Sequence, residues 1–205
     1  MERLFGLRCP ICGDELDAPG VCLSCQEKIV PARVAGAVYL GRYGPLRGLV
    51  RSVKYRQNRE ALLWAAFRLA EAVRSAGFEV EAVAYVPSFP WRVLLRGQYV
   101  PEVLARTMAG ALGRPLCHAL RRRRYTPSQT RRKNRKNLPQ VFVARRAVPA
   151  SVLLVDDVLT SGATFRRAAE ALFEAGAERV YGAFLAVADP DRLRRLPYNR
   201  PEARR

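Results

Sequence analysis

The residues whose types and spacing could do chemistry begin with two adjacent carboxylates, Asp156 and Asp157. Two apolar residues later comes the polar run Thr160-Ser161-Gly162-Ala163-Thr164. Amides and hydroxyls in a short loop that opens a helix attract an anion, most often a phosphate. Carboxylates do not hold phosphate directly, so the acid pair must serve another part of the ligand, such as ribose hydroxyls or Mg²⁺. The plainer alternative is a core strand followed by an N-capped helix, but capping needs one such residue, not a run of them.

A second constellation lies at the N-terminus, where Cys9-Pro-Ile-Cys12 and Cys22-Leu-Ser-Cys25 form two C-x-x-C knuckles. Four thiolates close a tetrahedral Zn²⁺ site of the structural kind, with no open position for catalysis. Gly13 suits the tight turn after the first knuckle. The segment has too few apolar residues to fold without a metal. A dithiol redox pair is the alternative, but it needs only one knuckle and a thioredoxin-like setting.

The elements that must position these groups follow from periodicity. Val152 to Val155 is a continuous apolar run, suited to a strand buried on both faces, and it is expected to end at the acid pair. A helical pattern follows over residues 163–175 and a strand over 179–187. Strand, polar loop and helix start is where open α/β sheets place ligands. Upstream, the pattern predicts a strand within 33–40, a turn at Tyr43-Gly44-Pro45, and a helix over 46–54. A longer helix over 59–75 is closed by Gly77, and a strand over 80–86 leads to a Pro-rich bend, with another helix over 100–112. Val141 to Val143 reads as a short strand. Residues 121–140 are basic, polar and far longer than a usual connection, which suggests a mobile lid or a binding hairpin. The tail, 189–205, is expected at the surface or frayed. Strands alternating with helices give an α/β domain with a mainly parallel sheet flanked by helices.

The 205-residue chain carries 36 basic and 18 acidic residues, a net charge of +18. No acid occurs between Glu102 and Asp156, while that interval holds Arg106, Arg114, Arg121, Arg122, Arg123, Arg124, Arg131, Arg132, Lys133, Arg135, Lys136, Arg145 and Arg146. Such a field favours polyanions, either nucleic acid or a small phosphate-rich ligand. No stretch approaches the roughly 18 apolar residues of a membrane span, and no signal-peptide core is evident. A cytoplasmic location is the expectation, and there clustered cysteines argue for metal rather than disulfides.

Residues 152–164 resemble the phosphoribosyl pyrophosphate (PRPP) motif of type I phosphoribosyltransferases: hydrophobics, two acids, a hydrophobic, any residue, then Thr, Thr or Ser, Gly, any residue, Thr. Every position matches. With the cysteine knuckles, the chain as a whole resembles the ComF family of bacterial competence-associated proteins, in which a short Cys-rich segment precedes a phosphoribosyltransferase-like domain. Lys54-Tyr55, Val86-Pro87, Arg96-Gly97, Thr126…Gln129 and Arg135…Asn137…Phe142 add local support. Three features depart from the family pattern. Gln98-Tyr99-Val100 replaces its aromatic-Asn-Gln, Gln129 to Asn137 is shorter than usual, and Val86 to Pro90 carries one extra residue between its prolines.

The resemblance implies a zinc-ribbon-like segment at 1–30 and a type I phosphoribosyltransferase-like domain at 31–205, with 121–140 as its flexible basic lid. Asp156 and Asp157 would face the ribose diol, and Thr160, Ser161, Gly162, Ala163 and Thr164 would wrap the 5′-phosphate. Pro87 and Ser88 would lie in the pyrophosphate loop, Arg96 would meet pyrophosphate through its planar fork, and Mg²⁺ would arrive with PRPP. The implied activity is Mg²⁺-dependent phosphoribosyl transfer to an acceptor the sequence does not spell, in a setting of DNA uptake. The alternative is a non-catalytic nucleic-acid-handling protein with a regulatory or vestigial PRPP pocket. In that reading Arg121, Arg122, Arg123, Arg124, Arg131, Arg132 and Lys133 would contact single-stranded DNA, and the uptake machinery would be a partner. Lys54 reads equally as a surface lysine or a phosphate contact. His118 and Cys117 read as structural.

Overall fold

The computed structural model describes residues 7–87, 99–122 and 141–201. Its centre is a five-stranded sheet built from β3 (Ala32–Val34), β4 (Ala37–Arg42), β5 (Ala82–Tyr85), β8 (Ser151–Leu159) and β9 (Arg179–Val187), in the order β3-β4-β9-β8-β5. Only β3 runs antiparallel to its neighbour; the other pairings are parallel. The helices are α1 (Leu23–Lys28), α2 (Tyr43–Tyr55), α3 (Arg59–Ser75), α4 (Val100–Leu112) and α5 (Ala163–Glu174). Two small antiparallel pairs complete it: β1 (Leu7–Arg8) with β2 (Glu15–Leu16), and β6 (Leu120–Arg122) with β7 (Phe142–Ala144).

The two-residue period of the strands divides the core into two layers. Val38, Leu40, Val83, Leu153, Val155 and Leu185 face α2, α3 and α4. Tyr39, Ala84, Val152, Leu154, Val180 and Phe184 face α5 and the β6–β7 pair. Each fully buried Leu or Phe in these layers stabilises the fold by about 1.5–3 kcal/mol. Helix ends follow local chemistry. The Asn58 side chain accepts the Ala61 amide at 3.0 Å to open α3.

The cysteine segment packs on this core. Cys9, Val21 and Cys25 are buried in the same layer as α2 and α3. Backbone contact is close enough that a Cβ on Gly48 of α2 would sit 2.0 Å from the Pro10 carbonyl oxygen.

Helices at 59–75 and 100–112 and the strand at 179–187 lie where periodicity placed them. Four local expectations are corrected. The strand expected within 33–40 is a hairpin, β3–β4, turning at Ala35-Gly36, with Ala35 at φ +50°. Tyr43-Gly44-Pro45 is the first turn of α2 rather than a turn before it, because proline is tolerated where its missing N–H has no helical partner. β8 does not stop at the acids; it continues through Leu159, where Val158 and Leu159 still pair with Ala186 and Val187 of β9.

The fourth correction concerns the tail. A 3-10 turn at Pro190–Arg195 buries Leu193 completely and Leu196 almost so. The Tyr198 carbonyl accepts the Val180 amide at 2.8 Å. The charges of the tail hid two leucines spaced to face one side. Replacing Leu193 with Ala is expected to lower the unfolding free energy by about 2–5 kcal/mol. A urea denaturation midpoint unchanged from wild type would show that the segment does not pack.

Candidate functional site

Asp156 and Asp157 lie in the C-terminal half of β8, towards the end of the sheet where the polar loop begins. Val152 to Val155 are fully buried, and the two carboxylates that follow them are partly buried. Asp156 Oδ1 accepts the Asp157 amide at 2.9 Å. Burial, then the Asp157 charge, pushes the Asp156 carboxyl up to about 8, opposed by the Asp157 amide and by the charges of Lys54 and Arg122.

Lys54, in the last turn of α2, places Nζ 2.7 Å from Asp157 Oδ2, and both side chains are only 18% exposed. It is therefore neither a surface lysine nor, in this state, free to hold phosphate. Sequence reasoning left it undecided because helical spacing does not show which strand end a helix terminus meets. Tyr99, just before α4, is a residue the sequence reading passed over. Its hydroxyl donates to the Val86 carbonyl. Burial and then the two aspartates push that hydroxyl strongly up. Its only sequence signal was its place in the departure from the family pattern at Gln98-Tyr99-Val100.

The loop after β8 presents Thr160, Ser161, Ala163 and Thr164 to solvent, with Gly162 buried behind them. Gly162 adopts φ +76° at the start of α5, and no side chain caps that helix among the described residues. Ser161 Oγ accepts the Ala163 amide at a long 3.4 Å. First-turn amides of a helix lack intrahelical partners, so this loop offers donors and helix-dipole charge to an anion. The β5–β8 ladder, extended by the Val86 amide on the Val155 carbonyl at 3.0 Å, brings Pro87 out beside the acids.

Arg121 and Arg122 belong to β6 rather than to a lid. Arg121 is exposed, while Arg122 is partly buried, its guanidinium 5.5 Å from the Phe142 ring centroid and its charge acting on Asp156 and Tyr99. Ser88, Arg96, Arg123, Arg124, Arg131, Arg132, Lys133 and the rest of the expected lid lie outside the described residues. His118 is exposed, with Nδ1 3.1 Å from the Tyr85 hydroxyl. Cys117 is buried, and Arg146 donates to its sulfur at 3.7 Å.

At the N-terminus, the Sγ atoms of Cys9, Cys12, Cys22 and Cys25 all lie within 4.8 Å of one another, with Cys12 and Cys22 at 3.5 Å. Tetrahedral thiolate ligation of Zn²⁺ at about 2.3 Å separates sulfurs by about 3.8 Å, so the donor set fits that ion. Burial raises the Cys9 thiol, but the amides of Cys12, Cys22 and Ile11 outweigh it and bring it down to about 6. Amides converging on one sulfur favour the thiolate that metal ligation requires.

No protein-family model and no curated protein matches the chain. Among solved structures it is similar to the glutamine PRPP amidotransferase from B. subtilis complexed with ADP and GMP, at 23% identity and a TM-score of 0.45 over 66% of this chain and 30% of that one. It is similar to adenine phosphoribosyltransferase from Trypanosoma brucei in complex with AMP, pyrophosphate and ribose-5-phosphate, at 12% identity and a TM-score of 0.46 over 78% and 86%. It is also similar to orotate phosphoribosyltransferase from Aeropyrum pernix, at 19% identity and a TM-score of 0.39 over 84% and 85%. The chain spans less than a third of the amidotransferase. With all three TM-scores below 0.5, the chemistry of the site is read from this chain's own residues.

The raised Asp156 carboxyl has a pH consequence with a definite sign. Between about pH 4 and about pH 8 the folded chain keeps a proton that the unfolded chain releases. This group's contribution is complete below its unfolded value and is lost as pH rises through the folded one, at up to about 1.4 kcal/mol per pH unit. Unfolding free energies measured across that window should fall with pH in wild type and flatten in Asp156→Asn. Equal slopes in the two proteins would contradict the assignment.

Proposed function

We propose that the chain is a PRPP-binding, phosphoribosyltransferase-like protein of the ComF type. The observation that carries this reading is the carboxylate pair in the C-terminal half of β8, two residues before a solvent-facing loop and a helix start that no side chain caps among the described residues. A ligand carrying both a diol and a phosphate would use both features, and a 5-phosphoribosyl group carries both.

In this reading a protonated Asp156 donates to one ribose hydroxyl, while Asp157, released from Lys54, accepts from the other. The amides and hydroxyls of Thr160, Ser161, Gly162, Ala163 and Thr164 take the 5′-phosphate. Pro87, Ser88 and Arg96 border the pyrophosphate. Lys54, freed from Asp157, has its positive charge available for that leaving group. Mg²⁺, arriving with PRPP, would supply charge neutralisation for the leaving group, and the acid pair offers the carboxylates that could meet it. Phosphoribosyl transfer passes through a transition state with positive charge on the ribose ring. The Asp157 carboxylate stabilises that charge, protonated Asp156 fixes the ribose, and the fold positions ligand and excludes water. The acceptor is the variable part, and DNA uptake is the process the ComF resemblance suggests.

Residues 1–30 are assigned to a structural Zn²⁺ segment, through Cys9, Cys12, Cys22 and Cys25, and 31–205 to the catalytic or binding domain. Among the described residues no helix is long and apolar enough to cross a membrane; the location proposed is cytoplasmic. A second reading is favoured by the acid-free basic interval and by exposed Arg121 on β6. In it the chain handles single-stranded DNA or meets the uptake machinery, and PRPP binding is regulatory. Steep loss of DNA affinity with salt would accompany it.

Calorimetry with PRPP and Mg²⁺ should give saturable binding to wild type and a loss of at least about tenfold in Asp157→Ala, as expected for removing a hydrogen-bonded charge. Absence of heat with wild type would refute the pocket. Elemental analysis of clean protein should find one zinc per chain, and stripping it with a chelator should unfold the N-terminal segment. Metal-free protein with unchanged circular dichroism and melting would contradict the zinc assignment.

A further inference from the structure

We propose that Arg192 is a positioning residue for the phosphate loop, and that the segment 189–199 sets how tightly that loop takes a phosphate monoester. The proposal rests on reading 160–164 as the phosphate site. A loop that holds an anion with its amides must turn its carbonyls away and keep them there. The first carbonyl of this loop, on Thr160, accepts a hydrogen bond from Arg192 Nη1 at 2.7 Å. That carbonyl shares its peptide unit with the Ser161 amide, so a cationic donor on the oxygen polarises the N–H that faces the anion.

Arg192 is itself held. Asp189 Oδ2 lies 3.4 Å from Arg192 Nε, and Asp189 Oδ1 accepts the Asp191 amide at 3.1 Å to start the turn. The Ala188 amide on the Leu159 carbonyl, at 2.9 Å, fixes the exit of β9 beside the entrance of the loop. With its side chain 48% exposed, Arg192 acts here through direction rather than burial.

A second anchor comes from behind. Leu196 Cδ2 lies 2.8 Å from where a Cβ on Gly162 would be, so it occupies the space that this buried glycine leaves. A side chain at position 162 would meet Leu196 as well as the strain of φ +76°. Further along, the Tyr198 hydroxyl donates to the Leu193 carbonyl at 2.8 Å, and its ring lies 6.2 Å from Phe165 in the first turn of α5. The Arg200 amide donates to the Glu178 carbonyl at 2.8 Å, closing the segment onto the opposite end of β9. Thus the loop is gripped at its first carbonyl and at its glycine by one piece of chain.

The test is calorimetry on wild type, Arg192→Met and Arg192→Lys with two probes, Mg²⁺-PRPP and Mg²⁺-pyrophosphate. Pyrophosphate lacks the 5′-phosphate. Arg192→Met should weaken PRPP by about tenfold, the loss of one charge-assisted hydrogen bond, and leave pyrophosphate within about twofold. Arg192→Lys should recover most of the PRPP affinity. Equal weakening of both probes, or no weakening, overturns the proposal. If wild type binds no PRPP, the phosphate-site reading fails separately, and hydrogen exchange decides the positioning claim. Faster exchange confined to residues 161–164 in Arg192→Met supports it; unchanged exchange there overturns it.

Discussion

Two carboxylates carried inside β8, just beyond its apolar run, are the constraint on which the rest of the structure depends. An apolar strand between two helical layers carries the chain through the core, but it desolvates the polar groups placed on it. Here that cost is managed unevenly. Asp157 is paired with Lys54, while Asp156 holds a proton to higher pH. Around this point gather the last turn of α2, the Tyr99 hydroxyl at the start of α4, Arg122 on β6 and the loop into α5. Each comes from a different part of the chain, and only the parallel sheet brings them to one end.

The Lys54–Asp157 pair gives the unliganded site a closed state. Its charges neutralise each other in a place with little water, so opening it without a replacement would leave two poorly solvated ions. A ligand with both a diol and an anionic leaving group supplies a partner for each. On the proposed reading of 160–164 as a phosphate loop, the same logic asks for support from behind. First-turn amides of the helix lack intrahelical partners, the Ala163 amide making only a long contact to Ser161 Oγ, and the strength of an anion site depends on such donors being aimed before the anion arrives. The C-terminal segment provides that support, and the cysteine segment steadies the other side by packing on α2, which carries Lys54.

Much of this was legible in the sequence, and for physical reasons. Val152–Val155, the acid pair and the Thr-Ser-Gly-Ala-Thr loop are contiguous, so local order alone conveys their relation. The cysteine knuckles are short-range in the same way, and α3 and α4 carried clean helical periods. What escaped depended on long-range contact. Lys54 could not be assigned because its partner lies far along the chain. Tyr99 showed only as a departure from a family pattern. The tail was misjudged because Leu193 and Leu196 sit among six charges between Asp189 and Arg200, and composition outweighed spacing. The extension of β8 past the acids was missed because carboxylates seldom lie inside a strand, and here β9 pairing prevails over that preference.

The most direct test of the central claim is a crystal structure of the protein with PRPP and Mg²⁺. The account predicts the ribose diol on Asp156 and Asp157, the 5′-phosphate on the amides of 160–164, and Lys54 withdrawn from Asp157. A ligand bound elsewhere, or a saturated crystal in which the Lys54–Asp157 pair stays closed over an empty loop, would contradict it.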